Sequence, residues 1–447
     1  MARKRQETQH TAVLTPPERV LLVGVQFEGV HSDAVERSLD ELEALVQSAG
    51  GEVVGRVVQR RDRPDPATFI GKGKAQSLSD SVRELGADTT VFDEELSPAQ
   101  LRNVEEMVTG KVIDRTILIL DIFAQRAHSS EGKLQVELAQ LMYGLPRLRG
   151  WGQALSRIGG AAGGGGSGGG GGRAPIGTRG PGETQLEVDR RRIERRINKV
   201  RRDLLALEER RRLSRKRRAE RIEIVSLVGY TNAGKSTLLN HLTQAGVLTE
   251  DKLFSTLDPT ARRLELPSGR PIVLTDTVGF IRKIPHGLVE AFKSTLEEVV
   301  GAHVLLHVVD ASRSDPEIDI AAVEEVLADI GATDAPRVLA LNKMDLLPEG
   351  ERAALERRFP SAHAISASTG EGVDRLLAAI DTILDDRVVE VEAVVPYTEG
   401  TLMARLHSDG RVVQADHTPE GVRALVRASS GDLAALRPYL RAPDPGP

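Results

Sequence analysis

The chain opens polar, and Pro16 and Pro17 close a stretch of 18 residues that is expected to be a disordered tail. From Arg19 the pattern turns apolar. VLLVGVQF predicts a buried strand, and Leu39, Leu42 and Leu45 then recur at helical spacing. EVVGRVV (52–58) predicts a strand, residues 74–85 a helix, TTVF (89–92) a strand, and a further helix starts from Ser97. TILILDIF (116–123) reads as one more strand, so residues 19–151 are expected to form an open α/β sheet ending near Trp151. Residues 159–172 are almost pure glycine, which predicts a mobile loop. Beyond it no Gly or Pro occurs from Glu183 to Leu227, and Leu186, Ile193, Ile197, Val200, Leu204 and Leu207 follow heptad spacing. Residues 152–221 therefore read as a helical hairpin or coiled-coil arm with the glycine loop at its tip. Strands and helices alternate again over 222–386. The last unit, 387–447, looks like a small α+β domain: VEVEAVVPY, then TLMARLHSDGRVVQADHT, then a helix over Pro419–Ala428.

Composition adds limits. A chain of 447 residues is too long for one core and suggests roughly three domains. Aromatics are 3%, so Leu, Val, Ile and Ala must supply the interior. With no cysteine, disulfides, zinc-thiolate sites and thiol nucleophiles are excluded. No apolar run approaches the roughly 20 residues that span a bilayer, and the first residues lack a signal-peptide core. A cytoplasmic, monomeric protein is expected, with peripheral contact to a membrane surface left open.

Candidate chemistry concentrates in the middle third. Gly229-Tyr230-Thr231-Asn232-Ala233-Gly234-Lys235-Ser236, with Thr237 next, lies between an apolar strand pattern and a helical one, which is the context of a phosphate loop. Its backbone N–H groups and the helix start suit phosphate oxygens, Lys235 suits the β- and γ-phosphates, and the Ser236 hydroxyl suits Mg²⁺. The next buried strand ends in Asp276-Thr277-Val278-Gly279, a carboxylate for the magnesium shell and a glycine N–H for the γ-phosphate. Asn342-Lys343-Met344-Asp345 follows a further strand. Asp345 there accepts N1–H and N2–H of guanine, a pair that adenine does not offer, while Asn342 braces the loop and the Lys343 stem covers the base. Ser366-Ala367-Ser368 places backbone N–H near guanine O6. Together these imply a P-loop GTPase domain that binds GTP and GDP. Between Ser236 and Asp276, LFSTLDPTARR offers two threonines for the switch, Thr256 and Thr260, and spacing does not choose between them. Phe280 stands where many GTPases place a water-orienting Gln, so unaided hydrolysis is expected to be slow. Asn232 occupies a position that ligates a monovalent cation in some GTPases, so potassium-stimulated hydrolysis is a hypothesis; equal turnover in potassium and sodium would end it.

Charge singles out the arm. Between Arg190 and Arg221 there are 16 Lys/Arg against 5 Asp/Glu, a balance of +11 in a chain whose formal net charge is −5. Too few acids are present for internal pairing, so structured RNA is the expected partner, with Arg190, Arg191, Arg195, Arg201 and Arg202 as candidate phosphate contacts. No aromatics interleave, which argues against single-strand stacking. Weaker features are Gly71-Lys72-Gly73-Lys74, either a phosphate grip or a basic turn, and Asp93-Glu94-Glu95, expected to cap the helix before Leu96. Trp151 beside Arg147 and Arg149 suits either a partner surface or a core edge. The histidines show no ligand spacing, so no transition-metal site is expected.

Several stretches go beyond any general GTPase pattern: FIGKGK (69–74), FDEELSPAQ (92–100), DRTILILDIFAQRA (114–127), LQVELAQLMYGLPRL (134–148), GTRGPGETQLE (177–187), LFSTLDPTARR (253–263) and DTVGFI. On these the chain resembles the HflX family of the Obg–HflX group, over roughly residues 20–390. The resemblance implies binding to the large ribosomal subunit, splitting of stalled or hibernating ribosomes, hydrolysis stimulated by ribosomes, and release controlled by GTP. It also implies that Thr256 is the Mg²⁺ ligand, with Phe254, Ser255, Leu257 and Asp258 around the nucleotide. A hydrophobic residue at 280 is normal for this group, and the long glycine tract is a departure from it. Two rivals remain at this level: a GTP-regulated RNA-binding switch, and an ATP-fuelled RNA remodeller supported here by GKGK alone.

Overall fold

The apolar run at Arg19 becomes strand β1 (Arg19–Phe27), flanked on both sides within its sheet. The computed structural model describes residues 16–147, 181–219, 222–243, 253–254, 260–283, 291–386, 389–408, 410–428 and 430–440, and contacts divide it into two units, 1–122 and 123–447. Each is taken by itself.

In the first unit β2 (Glu52–Arg61), β3 (Thr89–Phe92) and β4 (Lys111–Asp114) run parallel to β1 in the order β2-β1-β3-β4. Helices α1 (Ser32–Ser48), α2 (Lys72–Leu85) and α3 (Pro98–Glu105) supply the crossovers that parallel pairing requires. Leu39, Leu42 and Leu45 all point inward from α1, each side chain stabilising the fold by about 1.5–3 kcal/mol. Gly24 of β1 has no side chain, and a β-carbon there would press on Leu39 at 3.2 Å.

Two local expectations are corrected in this unit. Residues 116–123 are not a strand; they belong to helix α4 (Arg115–Arg126). The strand is the short KVID before them, and Asp114 at its end accepts the Ile117 N–H at 3.0 Å, which starts the helix. An apolar run of eight residues fits a buried strand and a buried helix equally well, and Leu118, Ile119, Leu120 and Ile122 are indeed buried around the helix. The cap of α3 is Ser97, not the acidic cluster. Ser97 Oγ accepts from Gln100 N–H and Gln100 Oε1 accepts from Ser97 N–H, a reciprocal capping box. Asp93 instead lies in the core, where the Ser38 hydroxyl donates to it at 2.7 Å. The buried Arg115 guanidinium lies 3.5 Å from Asp93 and 3.4 Å from Glu41, one cation between two carboxylates. Removing Arg115 would take away the cation that both buried carboxylates share.

In the second unit, α5 (Ser130–Gly144) packs along the arm helix (Pro181–Ala219). Ile193, Ile197, Val200 and Leu204 meet Leu138, with Leu134, Leu141 and Met142 beside them, so the heptad positions do face a partner helix. Although residues up to 151 read as one domain in sequence, the contacts of α5 are with the arm. The glycine tract 159–172 and Trp151 lie outside the described residues.

The larger sheet contains β5 (Glu223–Val228), β6 (Thr260–Glu265), β7 (Pro271–Asp276), β8 (Val304–Asp310), β9 (Arg337–Asn342) and β10 (His363–Ala364). Its order is β10-β9-β8-β5-β7-β6, parallel except for β6, which returns antiparallel to β7. The last sheet is antiparallel, β11 (Val389–Val395), β13 (Gly421–Ala428) and β12 (Val412–Thr418) in that spatial order. Here the helix expected over Pro419–Ala428 is a strand. Pro419 and Glu420 form the hairpin turn, Gly421 sits at φ 150°, and Ala424, Val426 and Ala428 alternate inward at period two.

Candidate nucleotide site

Parallel strands present their carboxyl ends to one edge, and the ends of β5, β7, β9 and β10 with the loops that leave them carry the expected site residues there. The phosphate loop leaves β5, and its helix (Lys235–Thr243) begins inside the motif. Each glycine answers a steric requirement. Gly229 lies at φ 152° against the Val308 carbonyl and Gly234 at φ 93° against the Asn342 amide, and a β-carbon at either would overlap its neighbour. At Gly279 a β-carbon would stand 2.9 Å from Thr231 Cα and 3.2 Å from Lys235 Nζ. Asn232 also takes a left-handed backbone, φ 62°, which Asn tolerates better than most residues.

Lys235 Nζ donates to the carbonyls of Gly229 (2.9 Å) and Tyr230 (2.8 Å), aligned along the loop it must serve. Burial pushes its pKa down to about 8, against the opposing pull of Asp276. Ser236 Oγ donates to Asp276 Oδ2 at 2.6 Å, and both groups are buried. Thr277 Oγ1 ties the same strand end to the Leu227 carbonyl at 2.7 Å. This all-oxygen pair at a phosphate loop fits a hard cation such as Mg²⁺.

Guanine-side residues converge as well. Asn342 Nδ2 donates to the Ala233 carbonyl and its Oδ1 accepts the Ala367 N–H, both at 2.8 Å, so one side chain spans the phosphate loop and the Ser366–Ser368 loop. Ser368 Oγ donates to Asp345 Oδ2 at 3.4 Å, and Ser366 and Ser368 hydroxyls are 3.0 Å apart. Lys343 sits at φ 65° and pairs with Asp310 at 2.8 Å. Asp310 escaped notice in the sequence; its sole signal is its place at the end of the strand pairing with Asn342.

Phe280 is buried and acts through its backbone. Its carbonyl accepts the Thr231 N–H at 2.7 Å, and its N–H donates to the Gly229 carbonyl at 3.1 Å. The Tyr230 hydroxyl accepts the Arg282 N–H at 2.9 Å, a second tie between the phosphate loop and the loop after Gly279. Phe254 N–H donates to Thr231 Oγ1 at 3.3 Å, whereas Ser255, Thr256, Leu257 and Asp258 lie outside the described residues. Thr260, the other switch candidate, is the first residue of β6, paired opposite Asp276. Beneath the loops, His307 on β8 is buried. Burial, with Lys235 and Arg337 adding to it, pushes its pKa down to about 3, so the ring is neutral.

On the arm, Arg190, Arg191, Arg195, Arg201 and Arg202 are all exposed. Arg190 pairs with Glu194 and Arg191 with Glu187 one turn away, while Arg202 Nε donates to the Asn198 carbonyl. Such exposed pairs contribute little and are readily exchanged for another anion.

Four family models match successive parts of the chain. They are described as GTP-binding GTPase N-terminal (residues 36–124), GTP-binding GTPase Middle Region (126–218), 50S ribosome-binding GTPase (224–343) and HflX C-terminal domain (352–437). Among curated relatives, GTPase HflX of Caldanaerobacter subterraneus subsp. tengcongensis is 48% identical over 427 residues, covering 95% of this chain and 94% of the relative. GTPase HflX of Escherichia coli (strain K12) is 44% identical over 394 residues, covering 87% and 88%. A solved GTP-binding protein from Sulfolobus solfataricus in complex with GDP aligns at 25% identity over 82% of this chain and 98% of that one, with a TM-score of 0.41.

Proposed function

The chain belongs to the HflX family of GTPases, and from that premise we propose that it binds the large ribosomal subunit and splits or rescues stalled ribosomes. GTP is its nucleotide and hydrolysis to GDP and phosphate its reaction. The observation that carries the ribosomal part is the arm: its apolar stripe is already covered by α5, and Arg190, Arg191, Arg195, Arg201 and Arg202 are left exposed.

In this reading the phosphate loop and Lys235 hold the β- and γ-phosphates, while Gly279 offers its N–H to the γ-phosphate. Ser236 and Thr256 would hold Mg²⁺, with Asp276 accepting from Ser236 behind them. When bound, the ion neutralises charge on the phosphate oxygens. Asp345 reads guanine, Asn342 keeps the two reading loops in register, and Ala367 and its neighbours cover O6. Phe280 offers the attacking water no hydrogen bond, so hydrolysis is slow until the ribosome completes the site. Arg190, Arg191, Arg195, Arg201 and Arg202 meet ribosomal RNA, and Asn232 would ligate a potassium ion, in which case turnover is faster in potassium than in sodium.

Sedimentation of intact ribosomes with the protein tests this reading. GTP, or its non-hydrolysable analogue, is expected to convert the 70S peak into subunits. Binding without splitting would reduce the protein to a nucleotide-controlled switch, and splitting with ATP alone would make it an RNA remodeller.

A further inference from the structure

The chain holds only eight phenylalanines, and three of them meet in the second unit. The Phe123 ring lies edge-on to Phe254 with centroids 4.7 Å apart, and edge-on to Phe292 with centroids 5.0 Å apart. All three are buried, at 3%, 2% and 4% exposure. Each belongs to a different part of the machine. Phe254 stands two residues before Thr256, and Phe292 immediately precedes the helix Lys293–Val300 that follows the Asp276–Gly279 loop. Phe123 lies on the last turn of α4, which leads through Ser129 into α5 and so to the arm.

Phe254 is held in a conformation that its residue type resists. Its backbone lies at φ 57°, a region costly for a residue with a large side chain, and its N–H is committed to Thr231 Oγ1 of the phosphate loop. Such a conformation persists where surrounding contacts impose it, and the Phe123 ring is one of those contacts. We propose that Phe123 is a positioning residue for GTP hydrolysis: its ring fixes Phe254 against Thr231 of the phosphate loop, and so sets the affinity for the γ-phosphate. This rests on the reading above in which Thr256 carries Mg²⁺. Because coupling between two sites is reciprocal, whatever displaces α4 or the arm changes γ-phosphate affinity, and γ-phosphate changes the hold on α4 by the same factor.

The test uses the full chain with Mg²⁺, fluorescent GDP and a fluorescent non-hydrolysable GTP analogue. Phe123→Ala is expected to weaken the analogue about tenfold, within the usual range for coupled sites, and to leave GDP within about twofold. Phe123→Leu keeps most of the wild-type ratio, and Phe123→Ala with Phe254→Ala does no more than either alone. A purely structural role would move both nucleotides together. Thr256→Ala serves as the reference that separates the two nucleotides. If it does so while Phe123→Ala shifts both equally, or neither, the role of Phe123 is overturned. If Thr256→Ala does not separate them, the reading of Thr256 falls and takes this proposal with it. Should Phe123→Ala not fold, Phe123→Leu carries the test, with a smaller shift in the same direction expected and an equal shift in both nucleotides overturning it.

Discussion

The loops around Asn342 and the helix of the arm are built on opposite principles. Around Asn342 each side chain answers a particular atom: its amide takes the Ala233 carbonyl, its carbonyl takes the Ala367 N–H, and Gly234 leaves it room. Along the arm, Ile193, Ile197, Val200 and Leu204 need only be apolar and correctly spaced, and the exposed arginines contribute by number. In the proposed function one region gains specificity from position and the other would gain affinity from a sum. The lesson is that single substitutions should be severe in the first and graded in the second.

The sharpest break would come at Asp345. Replacing it by Ala removes two charge-assisted hydrogen bonds to guanine, each worth about 1.5–3 kcal/mol, so GTP affinity should fall at least about a hundredfold. Equilibrium binding would show this with the melting temperature unchanged; a loss under threefold would undo the claim of positional specificity. His307 gives the next effect, on stability. Its folded pKa of about 3 lies below the ordinary 6.5, so the unfolded chain takes up the proton first. Stability is therefore intact above pH 6.5 and is lost as pH falls from there toward 3, by about 2–3 kcal/mol at pH 4.5. His307→Leu should flatten that slope in urea unfolding measured at pH 7 and 4.5.

In the arm, Val200→Ala should cost about 2 kcal/mol of unfolding free energy through the cavity it leaves beside Leu138, with GDP affinity untouched. The smallest effects belong to the arginines. Arg201→Ser or Arg202→Ser should each weaken large-subunit binding by about 1 kcal/mol or less and lower the salt slope by about one. Filter binding across a salt series would check this, and abolition of binding by a single change would collapse the contrast.

Much of the site was legible in sequence because its chemistry demands particular residues at fixed spacing after strands. Asp276 and Asn342 end their strands, and the phosphate loop, Gly279 and Asp345 lie on loops at the same edge of the sheet, as the pattern implied. The misread elements failed for identifiable reasons. Residues 116–123 are apolar except for Thr116 and Asp121, so periodicity could not separate a buried helix from a strand, and the deciding hydrogen bond is accepted by Asp114. In residues 421–428 the alanines suggest a helix, but pairing with β11 and β12 overrides that preference. Asp93 resembled a cap because the sequence does not reveal Arg115 beside it. The meeting of Phe123 with Phe254 was invisible, since 131 positions separate them and no spacing rule connects an apolar helix to a switch loop.

The account's centre is a GTPase that position makes specific and that we propose to be slow alone, with Phe280 holding backbone bonds where many GTPases place a water-orienting side chain. Its most direct test is GTP turnover with and without purified large ribosomal subunits. The account predicts slow hydrolysis alone, a rise of about tenfold or more with large subunits, and a weaker response to small ones. Fast turnover by the isolated protein, or equal stimulation by either subunit, would contradict it.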